Sequence, residues 1–288
     1  MPAKIVTFSE SGGVYKASLD NGPKFEVGRR VKYGKAEPTT GLSNIRTPGA
    51  KYNPADHAAT HGFWAYFIFP TCTAESNGAF NCLNTYDRAF FTFTFLQYAA
   101  HVPNGDFVRF LRRLLEEPEA ADYFPDLLLH NGRVARDTPL GPVALESDTS
   151  TRELMTYLNP TVQDVESAEV INAAKFIHWS ENSAAHRAIQ VETGIAHFQA
   201  AMQSYAKRYS LAGRLDQVCL AVADIRHQGR GSSQDILAAL NTSGDDEKAY
   251  RNLLQIGATV YKQRTDTIDR EVKKLVAAGI LGQKRWPF

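Results

Sequence analysis

The chain has 288 residues, 43% hydrophobic and 22% charged, with a formal net charge of +1. That length and apolar content bury a sizeable core, in one large domain or a main domain with a small appendage. The near-neutral charge gives no general attraction for nucleic acid or an anionic membrane surface.

From the N-terminus, Ile5 to Phe8, Val14 to Leu19 and Phe25 to Val27 read as short strands. Asp20-Asn21-Gly22 between the last two is a hairpin turn, because Asn and Gly tolerate positive φ. Residues 36–55 carry Pro38, Gly41, Pro48, Gly49 and Pro54 and read as a linker or surface loop. Asp56 caps a helix through Trp64 and Phe67, kinked or restarted at Pro70. Residues 89–98 place Phe90, Phe91, Phe93 and Phe95 among threonines, a strand pattern whose aromatics belong to the core. Asp106 opens a helix with Phe107, Phe110, Leu111, Leu114 and Leu115 on its apolar face, and Pro118 stops it. Residues 131–160 look irregular. After Pro160 the spacing predicts helices over about 161–178, 181–211, 213–227, 232–241 and 245–279, the last ending at Gly279.

The N-terminal MPAKIVTFSESGG has one lysine and no apolar stretch, so no Sec signal is expected. The longest apolar run, Phe63 to Phe69, is far short of a membrane span. The expectation is a soluble chain made in the cytoplasm, with no integral membrane segment. Cys72, Cys82 and Cys219 form no CxxC pair and no zinc spacing. Reduced, buried thiols are expected, with a Cys72–Cys82 bridge as the alternative. His57 and His61 stand at i, i+4, but no third ligand is placed, so no metal is expected. No phosphate-binding glycine loop and no GxSxG elbow occurs.

The chemistry concentrates between Glu75 and Gln97. No Asp, Glu, Lys or Arg lies between Asp56 and Glu75, so Glu75 ends an apolar helix and enters the turn Ser76-Asn77-Gly78. A carboxyl there is partly desolvated, the condition a general acid needs. Twelve residues on, Asp87 sits in the polar turn Asn84-Thr85-Tyr86-Asp87-Arg88. Two carboxyls in contrasting surroundings are what glycosidic cleavage requires: one protonates the leaving oxygen, the other serves the anomeric centre or its water. Later, Leu220-Ala221-Val222-Ala223-Asp224-Ile225-Arg226-His227-Gln228-Gly229 places Asp224 and His227 on one helix face. The expected use of Asp224 is a buried hydrogen bond to an Arg or His that supports a cleft.

The order Glu75, Asp87, then aromatic-aromatic-Thr-aromatic-x-aromatic-x-Gln resembles the phage-type lysozyme, chitosanase and peptidoglycan muramidase branch of the lysozyme superfamily. The Asp224 to Gly229 helix end is similar to a late helix of the same enzymes. The resemblance implies an α+β, mainly α fold: a lysozyme-like helical catalytic domain over 51–288 with a small β-hairpin at the active site. A short β segment and linker over 1–50 would precede it. It implies Glu75 as proton donor, Asp87 as second carboxylate and Thr92 as the hydroxyl that positions water. Gln97 would lie on the cleft floor. Tyr86, Tyr98, Asp224 and His227 are the further substrate-side residues. Where the family carries small glycines on the hairpin strand, this chain has Thr94 and Leu96, which narrows the expected cleft.

The expected activity is hydrolysis of β-1,4 bonds in peptidoglycan, without a cofactor. The alternatives are a chitosanase or other amino-sugar polysaccharide hydrolase, and a non-catalytic glycan-binding module. Action in the periplasm or on the cell wall would then need delivery outside the Sec route, with residues 1–50 as the segment that meets a secretion or phage delivery partner.

Overall fold

The Asp20-Asn21-Gly22 turn forms as its composition requires, with Asp20 at φ 51° and Asn21 at φ 60°. It joins the second and third of four long strands in the computed structural model, which describes residues 3–45, 47 and 49–288. Pro48, one of the expected linker residues, lies outside the described residues, as do Met1, Pro2 and Arg46.

In chain order the early elements are β1 (Val6–Ser11), β2 (Val14–Leu19), β3 (Phe25–Tyr33) and β4 (Thr39–Ser43). A 3-10 turn at Pro54–His57 leads into α1 (Ala58–His61), α2 (Phe63–Phe67) and α3 (Phe69–Ser76). Three two-residue strands follow: β5 (Leu83–Asn84), β6 (Thr92–Phe93) and β7 (Tyr98–Ala99). Next come α4 (Asp106–Leu114), α5 (Ala120–Tyr123), β8 (Leu127–His130), β9 (Arg133–Arg136), β10 (Val143–Ala144) and α6 (Arg152–Leu158). The long helices are α7 (Ser167–Asn182), α8 (Ala184–Arg208), α9 (Asp216–Gln228), α10 (Ser233–Leu240), α11 (Asp246–Gln255) and α12 (Lys262–Ala277).

The mainly α, lysozyme-like architecture expected from the resemblance is not what the chain forms. It is α+β, with 45% helix and 16% strand. β1 to β7 make one antiparallel sheet in sequential order, and β10-β9-β8 make a second. The small β-hairpin expected at the active site is the far end of the larger sheet. The element that changes the architecture is β4, which lies in the stretch read as a linker. It pairs with β3 along five residues and then with β5 through Ser43 and Asn84. Gly41 permits this: a Cβ there would sit 2.6 Å from Thr85 Oγ1 and 2.7 Å from the Tyr86 nitrogen.

Local corrections have similar causes. The helix expected to kink at Pro70 breaks first at Gly62, φ 55°, and Pro70 takes the first turn of α3, where a missing N–H costs nothing. The 89–98 stretch is strand only at β6 and β7. Between and before them Phe90, Thr94 and Gln97 adopt positive φ, which tightens the chain into successive turns. The single helix expected over 245–279 is two, separated by Gly257 at φ 69°. Residues 131–160 contain β9, β10 and α6.

The chain divides into two compact units: residues 1–51 with 79–193, and residues 52–78 with 194–288. Residues 1–50, expected to form a segment of their own, supply four strands of unit 1. The core of unit 1 is aromatic. Phe91, Phe93, Phe107, Phe110, Phe124 and Phe176 are buried around one another with ring centroids 4.9 to 6.5 Å apart. Unit 2 is helical. Its α9 is buried continuously from Asp216 to Ile225, so this helix is enclosed on all sides. Among the described residues no helix is long and apolar enough to cross a membrane.

Candidate functional site

α3 places Glu75 one residue before its end. Asn77 takes the left-handed cap conformation, φ 55°, and returns its N–H to the Cys72 and Thr73 carbonyls. The helix packs on α12 within unit 2. From α12, Arg264 Nη1 donates to Glu75 Oε1 at 2.8 Å and to Gln228 Oε1 at 2.7 Å. The other edge of the same guanidinium meets Asp224, with Nη2 donating to Oδ1 at 2.6 Å. Arg230 donates through Nη1 to Asp224 Oδ2. The Gly229-Arg230-Gly231 turn makes this return possible. Gly229 ends α9 at φ 73°, and Gly231 lies so close to Ile256 that a Cβ would be 2.4 Å from its Cγ2.

His227 completes the group, with Nε2 3.4 Å from Glu75 Oε1. Its ring lies 5.4 Å from Phe198 and 5.9 Å from His197. Exposure grades outward: the Asp224 side chain is 0% exposed, Arg264 7%, His227 15% and Glu75 16%. Electrostatics follow the same gradient. Burial pushes the Asp224 carboxyl up, but Arg264 and Arg230 outweigh it and hold the group below the ordinary carboxylate range. Burial lowers the His227 pKa, and the nearby Glu75 opposes this. Burial also opposes the charge on Arg264, while Asp224 and Glu75 more than restore it. The result is a buried ion triad, Asp224 with two arginines, whose outermost contact is the partly exposed Glu75 carboxyl.

The sequence-predicted residues therefore separate into two sets. Glu75, Asp224 and His227 meet within unit 2. Asp87, Thr92, Tyr86, Gln97 and Tyr98 lie in unit 1. There Asp87 is half-buried and its Oδ1 accepts the Ala89 N–H at 2.9 Å, closing the turn before β6. Tyr86 is half-buried, with its ring 5.4 Å from that of Tyr33. Thr92 is buried on β6, opposite Asn84 and Ala99. Gln97 serves its own turn: its Nε2 donates to the Thr94 carbonyl at 2.9 Å and the Cys82 carbonyl at 3.2 Å, and its Oε1 accepts from Asn84. Tyr98 is buried, and its hydroxyl donates to the Gln190 carbonyl at 2.7 Å.

Arg264 and Arg230 are members of this candidate site that the sequence does not single out. One signal pointed toward them. An aspartate inside Leu220-Ala221-Val222-Ala223-Asp224-Ile225 must find a cation or several donors once buried. Which arginine answers is a matter of tertiary placement, since Arg264 is forty residues away. Cys72, Cys82 and Cys219 are buried and none is in a disulfide. Among the described residues no group of three or more His, Cys, Asp or Glu side chains is arranged to hold a metal ion. Comparison with known proteins finds no matching family model, no matching curated protein and no matching solved structure.

Proposed function

We propose that the chain is a glycoside hydrolase of β-1,4-linked amino-sugar polymers, peptidoglycan foremost, with Glu75 as its acid/base group. The observation that carries this reading is how Glu75 is held. Arg264 and His227 both approach Oε1, which leaves Oε2 as the oxygen to meet a substrate. The carboxyl plane is fixed from behind by a guanidinium that is itself anchored on buried Asp224 and on Gln228. A carboxyl held in one orientation at the edge of solvent is preorganised to exchange a proton with a bound substrate or its water. After the transfer the charge left on Glu75 lies against Arg264, whose position does not have to change.

Asp87, expected as the second carboxylate, lies in unit 1 and takes no step in this reading. The choice of an amino-sugar polymer rests on the sequence order Glu75, Asp87, Thr92. It does not rest on a lysozyme-like fold, which the chain lacks. Replacing Glu75 by Gln removes the transferable proton at nearly constant shape. Release of reducing ends from murein sacculi and from chitosan is expected to fall by roughly 10²–10⁴, with far-UV circular dichroism unchanged. Cleavage of both polymers at the wild-type rate by Glu75→Gln rejects the reading. Turnover of chitosan alone by the wild type narrows the substrate to that polymer.

A further inference from the structure

Glu169 is a carboxyl that the proposed reaction does not use. It lies in the first turn of α7 and is 0% exposed. Its Oε1 accepts from Thr85 Oγ1 and from the Leu42 N–H at 3.2 Å, and its Oε2 accepts from the Glu166 N–H at 3.4 Å. Three segments of unit 1 thus meet at one carboxyl: β4, the residue after β5, and the start of α7. Thr85 opens the turn that carries Tyr86 and Asp87. Asn159 holds the same turn, with Nδ2 donating to the Thr85 carbonyl at 3.1 Å and the Phe90 carbonyl at 3.0 Å. Thr39 Oγ1 donates to the Tyr86 carbonyl, and the Leu42 N–H also donates to Thr85 Oγ1 at 2.6 Å. Of the side chains in this scaffold, Thr39, Thr85, Asn159 and Glu169, only the last titrates.

We propose that Glu169 is a positioning residue for the Asp87 turn, and that its charge state sets how firmly Thr85 and the residues after it are held. The functional meaning rests on the sequence expectation that Asp87 serves a site, here taken within unit 1; the physical claim about the turn does not. Burial pushes the Glu169 carboxyl up to about 7, against the hydrogen bonds from Thr85, Glu166 and Leu42. The charge of Asp164, just before α7, pushes the same way, and Arg30 of β3 bonds Asp164 at 2.5 Å. Glu166 caps its own helix, Tyr86 and Asp87 stand on the turn, and β4 carries no titratable side chain. When ionised, Glu169 receives a charge-assisted bond from the Thr85 hydroxyl; when protonated it loses that strength and gains a donor that this donor-rich site does not need.

Amide hydrogen exchange on the full chain between pH 5.5 and 8.5, corrected for intrinsic rates, tests this. Openings that free Thr85 while Glu169 stays buried remove only a bond that favours the charged carboxyl, so protection of the 85–91 amides is expected to rise roughly fivefold with a midpoint near pH 7, about the difference between a neutral and a charged hydrogen bond. The rise is expected to vanish in Glu169→Gln and in Thr85→Val, and to return in Thr85→Ser, which restores the hydroxyl. A flat wild-type profile, a fall in place of the rise, or a midpoint that survives in either Glu169→Gln or Thr85→Val overturns the proposal. Thr85→Val supplies the answer if Glu169→Gln does not fold. Exchange requires no catalysis, so this result stands apart from that of Glu75→Gln.

Discussion

Glu169 and His186 are both 0% exposed, and burial favours the neutral form of each. Their effects on stability run in opposite directions. Glu169 rises from an ordinary 4.5 to about 7, so between those values the folded chain binds more proton than the unfolded one and stability falls as pH increases. His186 drops from 6.5 to about 3, so the unfolded chain binds more proton there and stability rises as pH increases. Across pH 4.5–6.5 the two slopes, each about 1.4 kcal/mol per pH unit, cancel. Glu169→Gln removes one of them. Its stability relative to wild type, from urea unfolding, is expected to rise by about 1.4 kcal/mol per pH unit from pH 4.5 to 7. A pH-independent difference would contradict the assignment. Residue-level legibility was uneven for a physical reason. Asp224 announced itself because an acid in an apolar helix has few outcomes. Glu169 did not, because beside Glu166 at a helix start its local role is half of a capping box, and only the sheet reveals what else the second carboxyl holds.

Elements with a strong local cause were legible: the β2–β3 hairpin from its Asp-Asn-Gly turn, and α4 from its apolar face starting at Asp106. Elements with a long-range cause were not. β4 reads Thr-Thr-Gly-Leu-Ser and follows Pro38, so turn residues dominate it locally. It becomes a strand because β3 offers five pairing positions on one side and Thr85 makes close contact on the other. Gly41→Ala tests that account. A methyl 2.6 Å from Thr85 Oγ1 and 2.7 Å from backbone atoms must displace the chain, at an expected cost of roughly 2–4 kcal/mol in urea unfolding. A loss below about 0.5 kcal/mol, the size of a surface substitution, would mean that the approach is not tight.

At the scale of the molecule, each unit is assembled from separated stretches of chain, and the chain passes between them at 51/52, 78/79 and 193/194. In the sequence a change of composition marks a boundary around residue 50, and composition offers no sign that 52–78 joins 194–288. The association is made by α3 lying on α12, with Glu75 and Arg264 at the junction. A chain truncated after residue 193 therefore keeps α1 to α3 but loses their partners in unit 2. It is expected to aggregate on size exclusion, and a monomer with a cooperative melt would refute this account. The buried thiols give the same architecture a practical use. Cys82 belongs to unit 1 and Cys72 and Cys219 to unit 2, all are buried, and burial pushes Cys219 up to about 12 and Cys72 higher still. Each sulfur is inert while its surroundings hold and reacts once they open. The chain thus carries its own stopwatches, one in the first unit and two in the second, and the order in which a thiol reagent finds them reports which unit opens first.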